Sequence, residues 1–112
     1  MRFNETVARY GKGDVVFTRH AISRMKEVPF DEAFVTGTLL GAGKLAYEEW
    51  HEGSGTYKLV YSHSKRYCIV IVVAPHGTKL HVVTAYKTSR TMQQLVKDGG
   101  TLYVSKGFNT DV

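Results

Sequence analysis

The sequence predicts an α+β domain: two N-terminal helices packed on a four-stranded antiparallel meander sheet, then a short C-terminal helix and tail. Three observations carry that expectation. Apolar residues recur at helical spacing before residue 40, and four β-type segments follow from residue 44. The linkers between those segments hold only about 4–5 residues, which joins antiparallel neighbours because a parallel crossover needs far more chain.

Each element has a local cause. Thr18 is a good N-cap for a first helix, on which Ala21, Ile22, Met25 and Val28 lie on one face. Pro29 then disfavours helical backbone at Val28. Asp31 can cap a second helix, EAFVTGTLLG, with Phe34, Val35, Thr38 and Leu39 as its apolar stripe. Gly37 weakens that helix, while Gly41 and Gly43 supply its stop. The strands are KLAYEEW, TYKLVYS, YCIVIVVA and LHVVTAYK, parted by the turn clusters HEGSG, HSKR and PHGTK. YCIVIVVA is nearly all apolar and is expected at the centre of the sheet. On the fourth strand, Leu80, Val82, Thr84 and Tyr86 are expected on one face, alternating with His81, Val83, Ala85 and Lys87. SRTMQQLVKDGG reads as a short helix capped by Ser89 and stopped by Gly99 and Gly100. TLYVSKGF reads as an edge strand or a docked extension.

Composition bounds the function classes. The 112 residues suit one domain, 1–112, with its core in 14–90 and a C-terminal extension in 91–112. With 43% hydrophobic and 22% charged residues the chain has globular composition. It has no apolar run of the roughly 20 residues that cross a bilayer, and its start lacks the apolar stretch of a signal peptide. Cys68 is the single cysteine and fits a reducing compartment, so a cytoplasmic site of action is expected. The net charge of +5 is uneven: residues 1–30 hold six Lys/Arg against three acids, and 31–56 hold one against five. Residues 57–112 then hold eight against two. If folding joins the two basic segments, they form a surface suited to RNA or DNA; scattered lysines on a basic protein are the plain alternative.

The candidate chemistry lies in two short stretches. In TRHAISRM, His20 and Arg24 stand four residues apart and project from one side of a helix, with Arg19 beside them. A phosphate could meet the first-turn amides, His20 and Arg24 together, although such residues are also common at ordinary helix starts. In VVTAYK, Thr84 and Tyr86 can position a phosphate or ribose hydroxyl, and Lys87 or Arg90 can stabilise a phosphorane. Thr and Tyr are equally good strand formers that need no other reason to be there. Tyr47, Tyr57, Tyr61, Tyr67 and Tyr86 fall on strands, where tyrosines among Lys58, Lys65 and Arg66 can stack bases or simply pack on a sheet face. Metal-ligand spacing, phosphate-binding glycine loops and a serine-hydrolase elbow do not occur, so no metal or cofactor is expected.

FTRHAISRM, a proline-broken second helix and a strand ending in HVVTAY together resemble a bacterial and phage family with a helical His-Ala-x-x-Arg-Met start and a late Val-Thr-x-Tyr strand. That family is placed in the barnase–EndoU–colicin–RelE superfamily of toxin ribonucleases and RelE/ParE-type toxins, and the resemblance covers roughly residues 14–90. It implies helices on a curved antiparallel sheet with RNA across an open cleft. It also implies metal-independent cleavage in which the 2′-hydroxyl attacks and a cyclic phosphate remains. On matching positions, His20 would be the acid or base, Arg24 the phosphate clamp, and Thr84 and Tyr86 would orient the scissile phosphate. Arg19, Lys58, Lys87 and Arg90 join them as substrate-binding cations on local chemistry alone. The expected partners are an RNA, transfer or messenger, and an acidic antitoxin or immunity protein drawn to the positive surface. The alternative is a toxin of the same architecture, or a nucleic-acid-binding module, in which these residues make contacts without proton transfer.

Overall fold

The computed structural model describes residues 3–28, 30–64 and 66–89. In chain order the elements are α1 (Phe3–Val7), a 3-10 turn (Lys12–Asp14), β1 (Val15–Phe17), α2 (Arg19–Met25) and α3 (Glu32–Gly37). A wide π-type turn (Thr38–Ala42) leads into β2 (Lys44–His51), β3 (Thr56–Ser62), β4 (Tyr67–His76) and β5 (Lys79–Ser89). The fold is α+β.

Among the described residues the sheet has five strands in the order β1-β5-β4-β3-β2, with β1 parallel to β5 and the other pairs antiparallel. This corrects the expected four-stranded antiparallel sheet. Three residues of β1 are too few to show a period, and their partner on β5 begins 65 positions later, at Val15↔Leu80. Short linkers argue only for neighbours in the chain, so they were silent about this pair. The β2–β5 meander itself is present, and YCIVIVVA occupies the middle position of the sheet.

Helix α1 is the second addition. Five residues cannot sustain a helix in water, so tertiary contacts hold this one. Phe3 is buried, its ring lies edge-on to Tyr57 at 5.4 Å, and its backbone N–H donates to Glu48 Oε2 at 2.7 Å. Thr6 and Tyr57 share a buried hydroxyl hydrogen bond of 3.1 Å.

The caps behave as the sequence predicts. Thr18 Oγ1 accepts from Ala21 N at 3.1 Å, and Asp31 Oδ1 accepts from Phe34 N at 2.8 Å. Val35 on α3 and Thr38 and Leu39 on the π-type turn are buried, but Phe34 is 38% exposed, one helical step round from Val35. Gly43 permits the turn into β2 by close approach: a Cβ there would sit 2.5 Å from Thr38 Cγ2 and 2.7 Å from Tyr61 Cδ1. Strand β4 runs on through Pro75 and His76, and Gly77, at φ +61°, makes the reversal with Thr78. Ser89 is the last residue of β5; the C-terminal helix it is expected to cap, and the tail, lie outside the described residues.

The sheet has two unlike faces. Leu59, Ile69, Ile71, Val73, Leu80, Val82 and Ala85 pack with Phe3, Ala21, Met25, Phe30, Val35 and Leu39 into the main core. Val60, Cys68, Val70 and Tyr86 form a smaller cluster on the opposite face, with Tyr47 against it. A bulge decides which side of β5 goes where. Val72 pairs with Thr84 and Val73 with Val82, leaving Val83 as an extra residue. Strict alternation therefore fails: Leu80 and Val82 face the helices with Ala85, while Thr84 and Tyr86 face the other way.

Candidate functional site at the α2–β5 junction

The bulge and the α2 cap are one structure. Thr18 N donates to Val82 O at 3.1 Å, and Thr18 Oγ1 donates to Val83 O at 3.0 Å while accepting from Ala21 N. One threonine thus pins the start of α2 to the irregular part of β5. From there Ala21 and Met25 enter the core, which turns Arg24 along the border of the sheet.

Arg24 reaches the second face. Its guanidinium carbon lies 5.2 Å from the centroid of the Tyr86 ring, within cation–π range. Tyr86 and Thr84 are both buried, and Thr84 Oγ1 makes no hydrogen bond among the described residues. A buried hydroxyl without a partner is costly unless something else satisfies it, which makes Thr84 a natural anchor for a ligand oxygen or water. His20 stands one turn before Arg24 on the same flank of α2, is exposed, and makes no hydrogen bond among the described residues. Arg19 is exposed beside it. Three of the four expected catalytic residues, Arg24, Thr84 and Tyr86, are therefore brought together by the fold. His20 shares Arg24's flank without touching the pair on β5.

The expected substrate cations are dispersed. Lys87 follows Tyr86 and points to the other side of the sheet, which the bulge makes the helix-bearing side, 4.5 Å above the Tyr67 ring. Lys58 is on the second face but buried, directly across from Glu49 and two strands from Thr84. Burial pushes its ammonium pKa down, and Glu49 opposes that shift. Arg90 lies outside the described residues. Of the strand tyrosines, Tyr57 and Tyr61 belong to the main core and only Tyr67 is exposed. Burial, reinforced by the Glu48 carboxylate, holds the Tyr61 phenol above its ordinary pKa.

Elsewhere among the described residues lie four clefts of about 340–400 Å³, lined by other residues. Among the described residues no three His, Cys, Asp or Glu side chains converge, and no helix is long and apolar enough to cross a membrane. Sequence reasoning missed the second duty of Thr18, because a cap motif shows only the helix side of the hydroxyl. It also missed the grouping of Phe34 with His63, which two strands separate in the sequence.

Comparison with protein-family models, curated proteins and solved structures returned no significant match. The class that fold and site define is thus an α+β domain with a mixed five-stranded sheet, in which an arginine from the second helix caps a tyrosine of the last described strand.

Proposed function

We propose that the chain is a toxin ribonuclease of the barnase–EndoU–colicin–RelE type, cleaving RNA by attack of its own 2′-hydroxyl. The observation that carries this reading is the Arg24–Tyr86 contact beside Thr84, which seats a guanidinium and an unsatisfied hydroxyl on one buried face. In the reaction, the 2′-oxygen loses its proton to a base and bonds to phosphorus. The bond from phosphorus to the 5′-oxygen breaks, and an acid protonates the leaving oxygen. Arg24 clamps the non-bridging oxygens, Thr84 and Tyr86 orient the phosphate, and His20 serves one proton-transfer role. Arg19 supplies further charge at the helix start. The proposal places the activity in the cytosol, opposed by an acidic antitoxin or immunity protein.

The test is cleavage of total RNA in EDTA by the wild-type protein and by His20→Ala. Fragments ending in 2′,3′-cyclic phosphate, formed in EDTA and lost in His20→Ala, are expected. Undiminished cleavage by His20→Ala, or none in EDTA, removes this mechanism.

A second reading is favoured by the exposure of His20 and its lack of any orienting hydrogen bond among the described residues. In it the domain is a binding toxin or nucleic-acid-binding module, and α2 supplies contacts only. Growth arrest with intact cellular RNA would select it.

A further inference from the structure

Beyond the α2–β5 junction, the end of the sheet where β5 finishes carries a second grouping of aromatic rings and cations. Phe30 and Phe34 stack at 5.0 Å with an interplanar angle of 21°. The His63 ring meets them edge-on, at 5.9 Å from Phe30 and 6.0 Å from Phe34. Phe34, Gly37, Thr38, Lys44, His63 and Ile69 line an adjoining cleft of about 360 Å³. That is the size of a small-ligand site, and its wall carries a lysine and no carboxylate.

The register shows how this cleft relates to the proposed site. Lys44 pairs with Ser62, Ser62 with Cys68, and Cys68 with Thr88, which is two residues beyond Tyr86. The cleft and the Arg24–Tyr86 contact thus lie at one end of the sheet. Tyr67 follows on the helix-bearing side of β4, two positions from the cleft residue Ile69 and therefore about 7 Å along the strand. Tyr67 is 39% exposed and Phe34 38%, while Lys87 lies over the Tyr67 ring, exposed Arg66 precedes Tyr67 in the chain and exposed Lys44 lines the cleft with Phe34.

Two exposed rings at one end of the sheet, with a cation beside each, match what a single strand of nucleic acid requires: stacking surfaces for bases and charges for phosphates. We infer that the Phe34–His63 cleft is a nucleotide subsite, in which a base of single-stranded RNA stacks on Phe34 and its phosphate meets Lys44. Tyr67 and Lys87 take the neighbouring nucleotide. The inference rests on the RNA reading given above and extends it to the strand flanking the scissile bond. It also gives Lys87 a place on the side of the sheet where the bulge puts it.

The experiment measures binding of a short, unstructured, fully 2′-O-methylated oligoribonucleotide by fluorescence anisotropy at several salt concentrations. Such a probe offers no 2′-hydroxyl, so binding is read apart from cleavage. Phe34→Ala is expected to weaken binding about tenfold, the scale of one lost base stack, and Phe34→Trp to retain it. Lys44→Gln is expected to weaken binding and to flatten the log–log salt slope by about 0.7, the loss of one phosphate contact. Thermal unfolding checks that each variant is folded; if Phe34→Ala is not, Phe34→Trp and Lys44→Gln decide. Unchanged affinity in folded Phe34→Ala and Lys44→Gln, with Arg24→Ala impaired, overturns the subsite and leaves the RNA reading standing. A wild-type protein that does not bind the probe overturns both. Binding that depends on Phe34 and Lys44, without cleavage of natural RNA, supports the subsite and removes the nuclease.

Discussion

Thr18 joins two elements through one hydroxyl, donating to Val83 O and accepting from Ala21 N. Thr18→Val keeps the shape and loses both bonds, so it is expected to cost about 1–3 kcal/mol in urea unfolding, with Thr18→Ser close to wild type. Arg24 should drift from Tyr86 in the valine variant, because the cap is what fixes the start of α2. Lys58 makes a different statement, about pH. Its folded-state pKa is lowered by burial, while the unfolded chain keeps the ordinary value of 10.5. Between those two values the unfolded state holds a proton that the folded state has released, so stability rises with pH across that window. Tyr61 acts in the opposite sense: its pKa is raised, so its unfolded phenol ionises first and stability falls above the ordinary value of 10.0. Comparing wild type with Lys58→Met cancels the tyrosine. The difference in unfolding free energy should move in favour of wild type as pH rises from neutral towards 10.5. A flat difference would show that Lys58 is fully solvated.

Among the elements, the β5 bulge has the widest consequence. With Val83 in regular register rather than bulged out, strict alternation would carry Thr84 and Tyr86 to the helix-bearing face or pull Leu80 and Val82 out of the core. Deletion of Val83 leaves Leu80, Val82 and Ala85 on the core side with Thr84 and Tyr86 opposite. This variant is therefore expected to unfold cooperatively, about 0.5–1.5 kcal/mol less stable for the lost Thr18 Oγ1 bond to Val83 O. Val83→Ala should stay close to wild type, and loss of cooperative unfolding on deletion would contradict the bulge. The turn into β2 is equally constrained. A methyl at Gly43 meets Thr38 and the Tyr61 ring at less than contact distance, so Gly43→Ala should destabilise by about 1–3 kcal/mol in the same urea measurement. These two positions also show where sequence reading stopped. Thr18, Asp31 and the β3 segment TYKLVYS appear in the structure as read, because caps and alternation act over a few residues. The bulge, β1 and α1 did not appear. An extra residue in a strand is defined only by its partner's register, and elements of three and five residues are held by contacts far away in the chain.

At the scale of the molecule, the sheet is the rigid frame and its edges are the working parts. β4 is hydrogen-bonded on both sides within a buried centre, whereas β1 pairs with β5 over only three residues. Native-state hydrogen exchange should accordingly be slowest for Ile69 to Ile71 and fastest among the elements for α1 and β1. Equal protection of α1 and β4 would contradict this ordering. Charge also belongs to this scale. The cations at the β5 end come from residues far apart in the chain, the exposed Lys44 and Arg66 and the half-buried Lys87 among them, so only the fold makes them neighbours.

The sequence by itself determined the α+β class, the caps at Thr18 and Asp31, the four-strand meander and its apolar central strand. It also put His20 and Arg24 on one helix flank. All of these follow from interactions spanning a few residues, which a linear pattern records. The tertiary structure decided that β1 completes the sheet in parallel, that the bulge at Val83 turns Thr84 and Tyr86 away from the core, and that Arg24 rather than His20 meets them. It also made the Lys87 face the helix-bearing one and gathered Phe34, His63 and Lys44 around one cleft. Those outcomes depend on register between strands, and register is fixed by packing across the whole core.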